Sequence, residues 1–194
     1  MKIYCLNSKE LSRELKNGSA AIFPTDTLPA LGICPEHASK LWHIKKRPLN
    51  KPLILMGSKK EQFYEYVQPS AFDDASEMIE KYWPGALTIV LPAKGKEAAL
   101  LNPTRNTIGI RIPANDLAID LIDQIGPLAT TSANLSGTLP LLTAEEASKS
   151  FPEIPLLGPV PWPKSSAIAS TVISWESRGK WQLLRKGAVT SVNI

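Results

Sequence analysis

Short apolar runs of strand length recur along this chain, separated by segments of helical pattern, and two of the runs stop on clusters of small polar residues. Residues 20–23 (AAIF) read as a buried strand and lead straight into Pro24-Thr25-Asp26-Thr27. Residues 127–134 (PLATTSAN) repeat the construction. Between them lie "PLILM" (52–56), "ALTIVLP" (86–92) with β-branched Thr88, Ile89 and Val90, and "TIGIRIP" (107–113). Strands interleaved with helices predict an α/β chain, and the ends of strands are where open α/β sheets bind ligands. Two hydroxyls and a carboxylate at such an end, in "PTDT", therefore mark a candidate site.

The helical segments carry their own punctuation. Ser8 is a plausible N-cap for "KELSRELKNG", with Leu11 and Leu15 at i, i+4 and Gly18 as the stop. A second helix is expected over 36–46, broken by Pro48. "KKEQFYEYV" and "DDASEMIEKYW" read as helical, Asn115 caps "DLAIDLIDQIG", and Thr143 with Glu146 makes a capping-box pattern. Five prolines between 151 and 166 predict an extended, irregular connection, placed to cover a site as a flap. "STVISWESRGKWQLLRKG" reads as a hairpin turning near Arg178 and Gly179.

The chain has 194 residues, 43% hydrophobic and 21% charged, which fits one globular domain. Its two cysteines, Cys5 and Cys34, lie in apolar settings with no C-x-x-C spacing, so a reducing compartment is expected. No run approaches 18 apolar residues, and "MKIYCLNSKE" turns polar too soon for a signal peptide. The expectation is a cytoplasmic protein with no membrane segment. P-loop, dinucleotide, zinc-protease and nucleophile-elbow motifs are all missing. His37 and His43 sit at helical spacing beside basic residues and read as solvated. Cys34 and His37 alone cannot complete a zinc site, and no metal site is expected.

The formal net charge of +4 is concentrated. From 40 to 60 there are seven Lys or Arg and no Asp or Glu. Lys46 and Lys51 read as cations suited to the negative end of a helix dipole. Lys45 and Arg47 differ, because positions two apart do not share a helix face and Pro48 pushes Arg47 into an extended conformation. A flexible point charge beside a planar fork reads as a clamp for a di- or triphosphate. The segment "TTSANLSG" (130–137) adds hydroxyls and an amide after a strand, suited either to a turn or to reading a ligand.

"PTDT" after a strand, "KKRPLNKPL", "WPGALTIVLP", "IGIRIP", "TTSANLSG" and "STVIS...LLRKG", in that order, resemble the YrdC-like threonylcarbamoyl-AMP synthases. The resemblance implies a single YrdC-like domain over 1–194, a twisted open mixed sheet with helices packed around it, and a large basic cavity. It implies a nucleotidyl transfer in which L-threonine, bicarbonate and ATP, with Mg²⁺ carried in by ATP, give threonylcarbamoyl-AMP and pyrophosphate. It implies as partners the tRNA-modification proteins that transfer the threonylcarbamoyl group. By the same resemblance Lys45, Arg47, Ser132, Asn134 and Arg185 face ATP, Leu49 offers it only backbone, and Thr25, Arg111 and Ser170 lie near threonine.

The chain departs from many relatives at Pro29 and Ala30, where an aromatic and a glycine are common, and at Met56, where some have histidine. The rival expectation is a paralogue without synthase activity that binds double-stranded RNA, tRNA or the ribosome, for which the cation stretch would supply phosphate contacts.

Overall fold

The structure, a computed structural model, describes residues 3–192. Ten strands form one mixed sheet: β1 (Cys5–Leu6), β2 (Ala21–Phe23), β3 (Ala30–Ile33), β4 (Ile54–Met56), β5 (Leu87–Pro92), β6 (Thr107–Arg111), β7 (Leu128–Ser132), β8 (Leu156–Leu157), β9 (Thr171–Ser177) and β10 (Lys180–Arg185). Their spatial order is β1-β8-β2-β3-β7-β4-β6-β5-β9-β10. The helices are α1 (Ser8–Lys16), α2 (Ser39–Lys45), α3 (Pro69–Asp74), α4 (Ser76–Tyr82), α5 (Asp116–Ile125) and α6 (Ala144–Ser150).

Strand alternation divides the work between the two faces. Ile33, Ala129, Leu55, Ile110, Ile89 and Ile173 stand opposite one another across six strands, and all are fully buried in the main core. The adjacent row, Thr130, Ile54, Gly109, Val90, Ser174 and Gln182, points the other way, where this mix of polar and apolar residues floors a cavity. Each fully buried branched side chain contributes about 1.5–3 kcal/mol, so the packed row holds the sheet and leaves the other free to be polar. The cavity face is not bare throughout. Met56 and Leu128, one register step from Ile54 and Thr130, join Leu11 and Leu15 of α1 and Leu121 and Ile122 of α5 in a second core.

Local chemistry revises several expectations. Asn7, not Ser8, caps α1, through a reciprocal capping box with Glu10. The expected 36–46 helix is a 3-10 turn at Pro35–His37 followed by α2, which ends where Lys46 takes a left-handed φ of 50°. "KKEQFYEYV" yields only a 3-10 turn at Lys60–Phe63, since Val67 bridges to Ala93 beside the sheet. The next helical segment breaks into α3 and α4. The proline-rich 151–166 segment is not a free flap: between its prolines, Leu156 and Leu157 enter the sheet as β8, wedged between β1 and β2. Asn115 caps α5, Thr143 and Glu146 form the capping box of α6, and the β9–β10 hairpin turns at Gly179, as the sequence predicts.

Candidate functional site

The cavity has a volume of about 720 Å³, within the range of small-molecule sites. Above its floor, the walls come from the 24–29 turn, the loop after α2, the 102–105 loop and residues 169–170. Among the described lining residues, Arg47, Lys51, Arg105, Arg111 and Arg185 face a single acidic side chain, Glu176. An excess of cations around a concave site favours anionic ligands.

The "PTDT" turn is held from within. Thr25 Oγ1 donates to Leu28 O at 2.7 Å and accepts from Thr27 N at 3.1 Å, a local turn of the kind threonine hydroxyls form. Because Thr25 gives its proton to Leu28, Thr27 Oγ1 donates to Thr25 Oγ1 at 3.1 Å. Arg111, 3% exposed, locks this turn onto β6: Nη1 donates to Thr27 Oγ1 at 2.9 Å, Nη2 to Asp26 Oδ1 at 2.6 Å, and Nε to Gly85 O at 2.9 Å. Burial pushes the Arg111 guanidinium pKa down, and the Asp26 charge opposes that shift. Asp26 Oδ1 also accepts from Ala114 N. Pro29 O accepts from Ala133 N at 2.8 Å and ties the turn to the S-x-N segment, a main-chain bond that does not depend on the side chain at this position.

Lys45 does not point into the cavity as a free clamp. It is 1% exposed, and its Nζ lies within hydrogen-bond distance of four acceptors, Thr131 Oγ1, Ser132 O, Ser132 Oγ and Asn134 Oδ1, which share its three protons. The K-x-R and S-x-N motifs are thus bonded to each other. Burial first, then the Arg47 and Lys51 charges, lower the Lys45 pKa to about 7. The folded state therefore binds fewer protons than the unfolded state between about pH 7 and the ordinary lysine value of 10.5. The burden on stability is full below that window and is relieved as pH rises through it. Lys45→Met is expected to flatten this rise: urea unfolding at pH 7 and pH 9.5 should show wild type gaining more stability than the variant, and equal gains would refute it.

Arg47 is half-buried, with Nε donating to Lys51 O at 3.0 Å and Nη2 to Pro52 O at 2.9 Å, so it shapes the loop after α2 while its remaining donors are left for a ligand. Burial lowers its pKa, as does the Arg185 charge. Arg185 is itself anchored, by Nε and Nη2 to Ser170 O and by Nη2 to Ser170 Oγ at 3.0 Å. Ser170 Oγ lies 2.8 Å from Thr88 Oγ1 on the floor. The glycine of "LLRKG" explains this packing: a Cβ on Gly187 would lie 2.3 Å from Ala169 O and 2.4 Å from Ser170 C, so only glycine lets the backbones pass.

Of the expected site residues, Thr25, Arg47, Arg111, Ser132, Ser170 and Arg185 line one cavity. Lys45 and Asn134 stand behind Ser132, and Leu49 is 61% exposed and outside the lining. Lys51, read from sequence as a helix-end cation, lines the cavity instead. Thr88 and Arg105 were missed; only strand alternation pointed to Thr88, and nothing pointed to Arg105. No helix among the described residues is long and apolar enough to cross a membrane, and no cluster of three or more His, Cys, Asp or Glu there could hold a metal.

Comparison with known proteins fits this geometry. The threonylcarbamoyl-AMP synthase of Idiomarina loihiensis is 36% identical over 142 residues, covering 71% of this chain and 76% of the relative. That of Rattus norvegicus is 33% identical over 183 residues, covering 90% of this chain and 64% of the relative. The crystal structure of P. abyssi Sua5 complexed with L-threonine superposes with a TM-score of 0.84 at 26% identity, covering 93% of this chain and 54% of that one. This chain thus spans about half of that Sua5. E. coli YciO, at 23% identity and a TM-score of 0.77 over 93% of this chain and 89% of its own, shares the fold. The Sua5_yciO_yrdC family model, described as "Telomere recombination", matches residues 13–187. With a family model matching residues 13–187, relatives more than 30% identical and a shared fold over 93% of its length, the chain belongs to the Sua5/YciO/YrdC family.

Proposed function

We propose that this protein is an L-threonylcarbamoyladenylate synthase, a nucleotidyltransferase that converts L-threonine, bicarbonate and ATP to threonylcarbamoyl-AMP and pyrophosphate. The observation that carries the reading is the pair Arg47 and Arg185, both anchored on backbone carbonyls and both lining a cavity with few acids, where the Arg185 charge adds to burial in lowering the Arg47 pKa. Two guanidiniums held against their mutual repulsion are arranged for an anion between them. Relatives named for this activity, and a neighbour bound to L-threonine, support the assignment.

In the reaction the threonine amine takes up carbon dioxide derived from bicarbonate, a carbamate oxygen attacks the α-phosphorus, and pyrophosphate leaves. No protein nucleophile is needed, and acceleration comes from positioning and charge stabilisation. Arg47, Lys51 and Arg185 would neutralise the triphosphate, which arrives as its Mg²⁺ complex. Ser170 and Thr88, beside the turn that Thr25 and Arg111 hold, would form the amino-acid end. The product would pass to tRNA-modification proteins in the cytoplasm.

The RNA-binding alternative needs a continuous basic surface, and the cation stretch is dispersed: Lys40 donates to Gly18 O, Lys45 is buried, and Lys59 pairs with Asp123. Pyrophosphate release from Mg·ATP, measured with and without threonine and bicarbonate, separates the two. Release that requires both substrates is expected; no release by folded protein would defeat the proposal.

A further inference from the structure

The wall of the cavity formed by the β9–β10 hairpin overhangs the sheet and is fastened from outside it. β9 pairs with β5 only from Thr171 to Ser174, and β10 pairs with β9 alone. Residues 175–181 therefore project as a two-stranded ribbon, a form with little stability by itself. Ser174, Glu176 and Gln182 line the cavity from one face of the hairpin, while Trp175 and Trp181, paired across the ribbon, pack against the main core. At the tip the fastening is one carboxylate. Asp74, the last residue of α3, accepts on Oδ2 from Trp175 Nε1 at 2.7 Å and from Gly179 N at 2.9 Å. The two bonds fall on either side of Glu176 in the chain.

A carboxylate at the C-terminal end of a helix sits where the helix dipole disfavours it. Here the Gly179 bond first, and the Trp175 bond next, lower the Asp74 pKa, so the group is ionised at neutral pH and accepts both protons as charge-assisted bonds. The amino-acid end of the cavity, Ser170 with Thr88, lies at the root of β9, where Thr88 pairs with Val172. Glu176 stands about 13 Å further along the strand. The ribbon is thus remote from threonine, and the space it bounds is left to ATP. Building on the synthase reading, we propose that Asp74 is a positioning residue for ATP: it touches no substrate, and it holds the ribbon in place as the wall that encloses the nucleotide. What the wall needs from position 74 is one oxygen with two lone pairs, which an amide also supplies.

Amide hydrogen exchange and steady-state kinetics on the full chain test this. Asp74→Ala is expected to speed exchange across residues 175–183 and to leave β3 and β7 as in wild type. With the wall in place about a tenth of the time, apparent affinity falls by that fraction, so the KM for Mg·ATP should rise about tenfold while kcat and the KM for threonine stay within about twofold. Asp74→Asn keeps an oxygen for both donors and should restore exchange and KM. Trp175→Phe removes one of the two donors, should fall between wild type and Asp74→Ala, and tests the same wall if Asp74→Ala does not fold. Unchanged exchange in the ribbon of Asp74→Ala and Trp175→Phe, or an asparagine variant no better than alanine, would overturn the inference and leave the synthase reading standing. Equal losses for ATP and threonine would also overturn it, since they mark a general structural defect. The exchange experiment needs no activity, so folded wild type that released no pyrophosphate would end the synthase reading, and with it the assignment of the wall to ATP, whatever the ribbon did.

Discussion

Arg111→Met is expected to cost about 3–5 kcal/mol of stability, the range for removing one partner of a buried ion pair. Arg111 is 3% exposed and its guanidinium makes three anchored bonds, one of them to the Asp26 carboxylate at 2.6 Å. The variant would leave Asp26 with Ala114 N alone on that oxygen and Thr27 without a donor, inside a turn whose hydroxyls are 2% exposed. Arg111→Lys should not restore the loss, because a single ammonium cannot reach Gly85 O, Thr27 and Asp26 in the planar arrangement the fork supplies. Urea unfolding checks this: the midpoint should fall with little change in slope for both variants. A loss under about 0.5 kcal/mol would mean that Arg111 behaves as a surface residue on a strand edge, and the account of the turn would have to be given up.

The strands were legible because their signal is local. Residues 86–92 and 107–113 alternate between a packed row and a cavity row, and the β-branched run in the first is visible without any tertiary knowledge. Caps at Asn115 and Thr143 were legible for the same reason, since a capping side chain bonds a backbone group three residues away. The 60–67 segment failed because helical periodicity was overruled by a partner distant in sequence, Ala93. Likewise β8 is two residues long, and what makes it a strand is its position between β1 and β2.

The candidate site divides along the same line. Thr25, Arg47, Arg111, Ser132, Ser170 and Arg185 were chosen from sequence and converge on one cavity. The direction in which a long side chain turns was not legible. Lys45 looks in sequence like the companion of Arg47, but it leaves α2 toward Thr131, Ser132 and Asn134, which lie 86 to 89 residues away along the chain. Lys51 looked like a helix-end cation because its sequence neighbourhood is basic, and it faces the cavity because the Arg47 side chain holds the backbone of its loop.

That loop supports the second large effect. Arg47→Ala should weaken ATP binding and lower the rate of pyrophosphate release by about 10- to 150-fold, corresponding to about 1.5–3 kcal/mol for a charge-assisted contact. Two losses combine in the variant: a guanidinium facing Arg185 disappears, and the carbonyls of Lys51 and Pro52 lose the donors that fold the loop beside the cavity. Arg47→Lys separates them, since it keeps the charge but cannot bond both carbonyls, and it should fall between alanine and wild type. Lys59→Ala is the control. Lys59 lies in the same basic stretch, but it pairs with Asp123 at 3.3 Å with both side chains more than half exposed, and such pairs contribute about 0–1 kcal/mol. Titration of ATP into the three variants, with thermal unfolding to confirm that each is folded, reads the result. Equal weakening by Arg47→Ala and Lys59→Ala would mean that ATP meets only a diffuse positive surface, and the anchored pair of Arg47 and Arg185 would lose its claim to be the anion site.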